Sequence, residues 1–180
     1  MTRLLALVSA LSLVLLSACA TPAPEQGGVP ALTDAILRLS PEIDPGEARR
    51  VAEIAHAYPL GLKREWNVVD NPLVHNAKVH AGEREKGLCN DWAQAMTRRL
   101  NAEGFETLSV HWATSPPSTF RIIHHSAVIS ARGDTLFEGI VLDPWRHSGE
   151  LFWSRIPEDT RFDWRPRSEV RQALIDARDG

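Results

Sequence analysis

The sequence predicts an α+β domain in which helices come first and a last long helix hands over to an antiparallel sheet. Three observations predict it. Apolar residues recur at helical spacing through residues 31–58 and again from Cys89 to Leu100. From Glu106 the pattern changes to β-branched, strand-like runs. Two of those runs, Arg121–Ala131 and Thr135–Leu142, flank a short Arg132-Gly133-Asp134 turn, as a hairpin does. Helices segregated before a sheet of hairpins is the α+β pattern rather than an alternating α/β one.

The first eighteen residues stand apart. Arg3 precedes an apolar run from Leu4 to Leu16, too short to span a bilayer, which needs ~20 residues, and small residues follow. That is the layout of an export signal. Leu16-Ser17-Ala18-Cys19 resembles the lipobox of bacterial lipoproteins, which implies lipidation of Cys19 and anchoring in a lipid bilayer. By the same resemblance Ala20, standing where an aspartate retains lipoproteins at the inner membrane, implies the outer membrane, facing the periplasm, if the source is Gram-negative. Residues 21–30 (TPAPEQGGVP) read as a tether. Residues 31–180 then read as one domain.

Removing residues 1–18 takes away one basic residue, so 20 − 1 = 19 basic stand against 23 acidic side chains. With no Lys/Arg cluster, nucleic acid is not an expected partner. The chain has two cysteines. If Cys19 carries lipid, Cys89 has no partner within the chain, and in an oxidising compartment a spare thiol is either buried or used.

The elements follow in order. Residues 31–39 form an amphipathic helix. Asp44-Pro45-Gly46-Glu47 starts the next, with Asp44 as cap and Pro45 at the first position, and that helix should end before Pro59. Residues 60–86 read mostly as loop with one short helix, and their His75 and His80 as surface or packing side chains. Gly87 then allows a tight turn into a helix whose buried face is Cys89, Trp92, Ala93, Met96 and Leu100, with Gly104 as its stop. A thiol in a first helical turn feels the positive end of the helix dipole, which favours thiolate. Strands are expected at 106–113, 121–131 and 135–142, the last ended by Asp143-Pro144, with one more at 150–156. A final helix at 168–177 is capped by Ser168.

A thiol nucleophile needs a histidine to take its proton and a third group to orient that histidine. The hairpin offers His124, His125 and Asp143, and side chains alternate along a strand, so one histidine shares a face with Asp143. A three-residue loop places His125 opposite Asp143; a two-residue loop places His124 there. The face holding Ile123, His125, Ala127 and Ile129 is the more apolar, hence the expected core face beneath the Cys89 helix, and it favours His125. Adjacent histidines pointing to opposite faces make a metal site an unfavoured reading.

Gly-Leu-Cys89-x-x-Trp-Ala at a helix start, His125-Ser-Ala-Val on a strand and Leu142-Asp143-Pro144 on the next together resemble the Cys–His–Asp core of transglutaminase-like, papain-related cysteine enzymes. The spacing is 36 residues from Cys89 to His125 and 18 from there to Asp143, and the resemblance covers about residues 75–155, the implied core of the domain. The resemblance implies a helix carrying the cysteine packed on an antiparallel sheet carrying His and Asp, and no cofactor. It implies Cys89 as nucleophile, His125 as base (His124 the alternative) and Asp143 as orienter; the expected envelope location, separately, makes peptide or protein of the cell envelope the expected substrate. Asn76 is the candidate second oxyanion donor beside the Cys89 N–H, and Trp145 the candidate cleft wall. A non-catalytic binding lipoprotein on the same fold is the competing expectation.

Overall fold

The computed structural model describes residues 27–119 and 121–179. Cys19 and the lipobox-like stretch lie outside the described residues. Helix α1 (Val29–Leu37) turns Leu32, Ala35 and Ile36 inward. Helix α2 (Pro45–Glu65) begins where expected, the Asp44 carboxylate accepting from Glu47 N–H at 2.9 Å. Glu47 does not fold back on its own helix. Its carboxylate accepts from the backbone N–H groups of Glu106 (2.7 Å) and Thr107 (2.9 Å), which pins the start of α2 to the lead-in of the sheet.

Helix α2 runs through Pro59 instead of ending before it. The ring forfeits one backbone bond, but the continuation buries Leu62 in a cluster with Val68, Cys89, Trp92 and Trp145. Packing outweighs the local penalty. Helix α3 (Pro72–His80) is capped by the Asn71 side chain, which accepts from Val74 N–H at 3.1 Å. Helix α4 (Cys89–Asn101) buries the five residues its spacing predicts.

One five-stranded sheet follows: β1 (Leu108–Ser115), β2 (His124–Ala131), β3 (Ile140–His147), β4 (Glu150–Arg155) and β5 (Arg165–Pro166). Its spatial order is β4-β3-β2-β1-β5, with every neighbouring pair antiparallel. The chain ends in α5 (Arg167–Asp179), which starts one residue before the expected Ser168 cap. Among the described residues no helix is long and apolar enough to cross a membrane.

The hairpin differs from expectation at its turn. Leu136–Glu138 form a 3-10 turn, so the connection is no short loop and β3 starts only at Ile140. The register is Ala127↔Leu142, Val128↔Val141 and Ile129↔Ile140. Ten residues, 130–139, therefore separate the last pair, an even number. Nor does Pro144 end β3. The strand continues to His147 because the ladder with β4 is interrupted between Asp143 and His147, where no N–H is required of the proline.

Both faces of the sheet are covered. Met96 and Leu100 of α4 pack with Ala127, Ile129, Ile140 and Leu142 on one face, as the apolar pattern predicts. Val128 and Val141 point the other way and are equally buried, under Leu136, Ile156 and Trp164. The chain segment 156–166 supplies this second roof, and it lies directly over the end of β2.

Candidate active site

The turn before α4 is held from three sides. His75, buried on α3, hydrogen-bonds through Nε2 to the Lys86 carbonyl (2.9 Å). The Asp91 carboxylate accepts from the N–H groups of Gly87 and Leu88, each at 3.0 Å, and the Trp92 indole N–H donates to the Gly87 carbonyl at 3.0 Å. Gly87 sits at φ +121°, and a Cβ there would fall 2.3 Å from His75 Nε2. Only glycine fits that approach. The result is a rigid mount for Cys89, a free thiol with 6% exposure. Its Sγ lies 3.7 Å from the Ile123 carbonyl oxygen, at the foot of β2.

The histidine that meets Asp143 is His124. Its Nε2 is 2.7 Å from Asp143 Oδ2, and the ring is fully buried. The favoured assignment of His125 is corrected by the register: an even connection puts His124 and Ser126 on the Asp143 face, and shifting pairing parity by one exchanges every side chain between faces. The premise that only one face is core also fails, since the His124 face has its own cover.

With Nε2 engaged, Nδ1 of His124 is the nitrogen left for Cys89; it is buried and makes no hydrogen bond of ordinary geometry. Burial disfavours a charged ring here. The charge and hydrogen bond of Asp143, followed by those of Cys89, outweigh it and raise the His124 pKa to about 9. Three aromatic rings enclose the imidazole, with centroids at 4.2 Å (Phe162), 4.7 Å (Trp145) and 5.4 Å (Trp164).

Asp143 is 1% exposed. Burial alone would raise its pKa; the charge and hydrogen bond of His124, and then those of Arg146, hold it below the usual carboxylate range. Arg146 Nε donates to the same Oδ2 at 2.7 Å, and its guanidinium forks onto Asp159. Asp159 also accepts from the Trp164 indole at 2.8 Å. The guanidinium is sandwiched between the rings of Phe152 (3.9 Å) and Phe162 (4.7 Å). A buried hydrogen-bonded chain thus runs His124–Asp143–Arg146–Asp159, and Cys89 lies beside its first member.

Asn76 is 9% exposed on α3, and its Oδ1 accepts from the Trp145 indole N–H at 3.1 Å. That bond turns its amide oxygen toward Trp145 and leaves its NH₂ without a hydrogen bond among the described residues. Trp145 is buried in the cluster that holds Cys89, and its ring lies 4.7 Å from that of His124. His125 lies on the opposite face from Asp143, its Nδ1 accepting from Thr114 Oγ1 (2.9 Å) and Trp112 Nε1 (3.4 Å). Burial, the charge of His124 and then that of Arg167 lower its pKa to about 4.

Sequence reasoning missed Arg146, Asp159, Phe162 and Trp164. Arg146 carried a signal, being a lone cation at the end of a strand rich in buried positions; Asp159 lies in a polar run that looks solvated. Comparison with protein-family models, curated proteins and solved structures finds no match for this chain.

Proposed function

We propose that the chain is a lipid-anchored thiol enzyme of the bacterial envelope, with a transglutaminase-like core that cleaves or exchanges amide bonds through a Cys89 thioester. The carrying observation is the buried line from the Cys89 thiol through His124 to Asp143, with His124 Nε2 2.7 Å from Asp143 Oδ2. His124, not His125, is the proton carrier in this reading. Cys89 thiolate attacks the amide carbonyl carbon, and the backbone N–H at the start of α4 and the Asn76 NH₂ donate to the oxyanion. The C–N bond breaks as protonated His124 gives its Nδ1 proton to the leaving amine, which leaves an acyl thioester. Water or an amine then attacks the thioester and loses a proton to His124, releasing acid or a new amide and restoring the thiolate. Asp143 stays ionised, fixing the ring and balancing its charge.

The closed site supports a second reading, a binding lipoprotein whose triad is idle: Cys89 is 6% exposed and His124 is fully buried. One experiment separates the two. The rate of iodoacetamide alkylation of Cys89 in the native full chain is measured against pH, in wild type and in His124→Ala, His125→Ala and Asp143→Ala. We expect about 100-fold slower alkylation at pH 7 in His124→Ala, a smaller loss in Asp143→Ala, and little change in His125→Ala. A thiol inert in the native wild type, or indifferent to His124→Ala, removes the enzyme reading. In parallel, Cys19→Ser is expected to move the chain out of the membrane fraction; unchanged sedimentation with membranes rejects the anchor.

A further inference from the structure

A groove of about 270 Å³ opens between α5 and the start of β2, on the sheet face opposite His124. Ile123, Val170 and Leu174 form its apolar floor and wall, and Arg167, Arg171 and His125 its polar edge. Ile123 belongs to both places: its side chain lines the groove while its carbonyl stands 3.7 Å from Cys89 Sγ. We propose that this groove is the acyl-donor subsite and takes a peptide segment in which an apolar side chain is followed by a carboxylate. The proposal rests on the thiol-enzyme reading above and adds the substrate class to it.

The polar edge is specific in sign. Trp112 Nε1 is a donor only, so His125 Nδ1, which it and Thr114 reach, must be the acceptor. The proton of the neutral ring is therefore fixed on Nε2, a donor with no hydrogen bond among the described residues. The low pKa of His125 agrees with a ring that stays neutral at working pH. Arg167 is held over the Trp112 ring at 4.6 Å, and Arg171 makes no hydrogen bond or ion pair among the described residues. Among those residues the lining holds arginines and no carboxylate. An uncommitted N–H donor and uncommitted guanidinium above an apolar floor select a ligand with an anion beside an apolar group. A flat anionic membrane surface matches less well, because Val170 is 4% exposed and turned into the groove, where a narrow extended segment reaches it.

The test uses full-length Cys89→Ala in neutral detergent, so that binding is read without chemistry. The probes are acetyl-Ala-Leu-Glu-Ala-amide, the same peptide with Gln for Glu, and phosphatidylglycerol vesicles, followed by calorimetry. The Glu peptide is expected to bind, the Gln peptide about tenfold more weakly, and Arg171→Gln and Arg167→Gln to lose about fivefold each. These are exposed positions, so unchanged circular dichroism should accompany the loss. In the wild-type chain the Glu peptide should also slow Cys89 alkylation. Equal binding of the two peptides, or arginine variants that bind as well as the parent, overturns the proposal. So does arginine-dependent binding of the vesicles with neither peptide bound, which transfers the site to lipid. If the peptide binds but the thiol proves inert, the groove stands as a binding site and the enzyme reading falls by itself.

Discussion

At the scale of single residues, the site turns on which of two adjacent histidines meets the acid. Cys89 and Asp143 were legible because each sits at a forced position, a helix start and a strand position beside a proline. His124 was not, because the choice depended on the parity of a connection whose 3-10 turn carries no periodic signal. Arg146 is the other decisive residue. Its side chain is 5% exposed and joins Asp143 to Asp159, both below 5%. Removing one partner of such a buried set leaves an uncompensated charge, at a cost of about 3–5 kcal/mol. Arg146→Met should therefore destabilise by that order in urea unfolding. The Arg146→Met/Asp159→Asn double variant should recover part of the loss, with a coupling of about 1–3 kcal/mol in the cycle. Strict additivity would show that the two do not act as a pair.

Among the elements, α4 depends on the turn that feeds it more than on its own propensity. Its buried face was readable from spacing alone, whereas the mount was not, since His75 looked like a packing side chain and touches the turn only through the fold. Gly87→Ala meets both a left-handed φ and the His75 ring. Gly82, also at positive φ (+77°), has no atom within 4 Å of an added Cβ. We expect Gly82→Ala to cost about 1 kcal/mol and Gly87→Ala at least about 2–3 kcal/mol, with altered Cys89 alkylation only in the latter. Similar losses at the two glycines would mean that the His75 contact relaxes freely. Pro59 and Pro144 mislead the sequence reading in the same way: each breaks a local rule that tertiary packing or a ladder irregularity overrides.

For the whole molecule, the sheet with two covered faces sets how stability responds to pH. His124 gains a proton affinity on folding, so its contribution is complete below its ordinary value of 6.5 and is lost as pH rises through about 9. His125 loses proton affinity on folding, so its contribution is complete above 6.5 and is lost as pH falls toward about 4. The depressed carboxylates of Glu47 and Asp143 add further losses in acid. Stability should thus peak near pH 6.5. His124→Gln should flatten the alkaline limb and His125→Phe the upper acid limb, read as urea midpoints across pH 4–9. An alkaline limb unchanged by His124→Gln would mean that the ring is not the group titrating. The α+β class and the pairing of β2 with β3, with β1 alongside, were legible because periodicity reports single elements and a turn joins β2 to β3. The second roof was not, because residues 156–166 form only a 3-10 turn and a two-residue strand, too short to leave a pattern.

The ring of Trp145, 4.7 Å from a His124 that is charged at neutral pH, has an optical consequence. A protonated imidazole in contact with an excited indole drains its emission, and a neutral one does so far less. The tryptophan fluorescence should brighten as pH rises through about 9, and that step should vanish in His124→Gln and shrink in Trp145→Phe, where Trp164 still lies 5.4 Å from the ring. The light emitted by the protein is then a gauge of where the proton of the site resides.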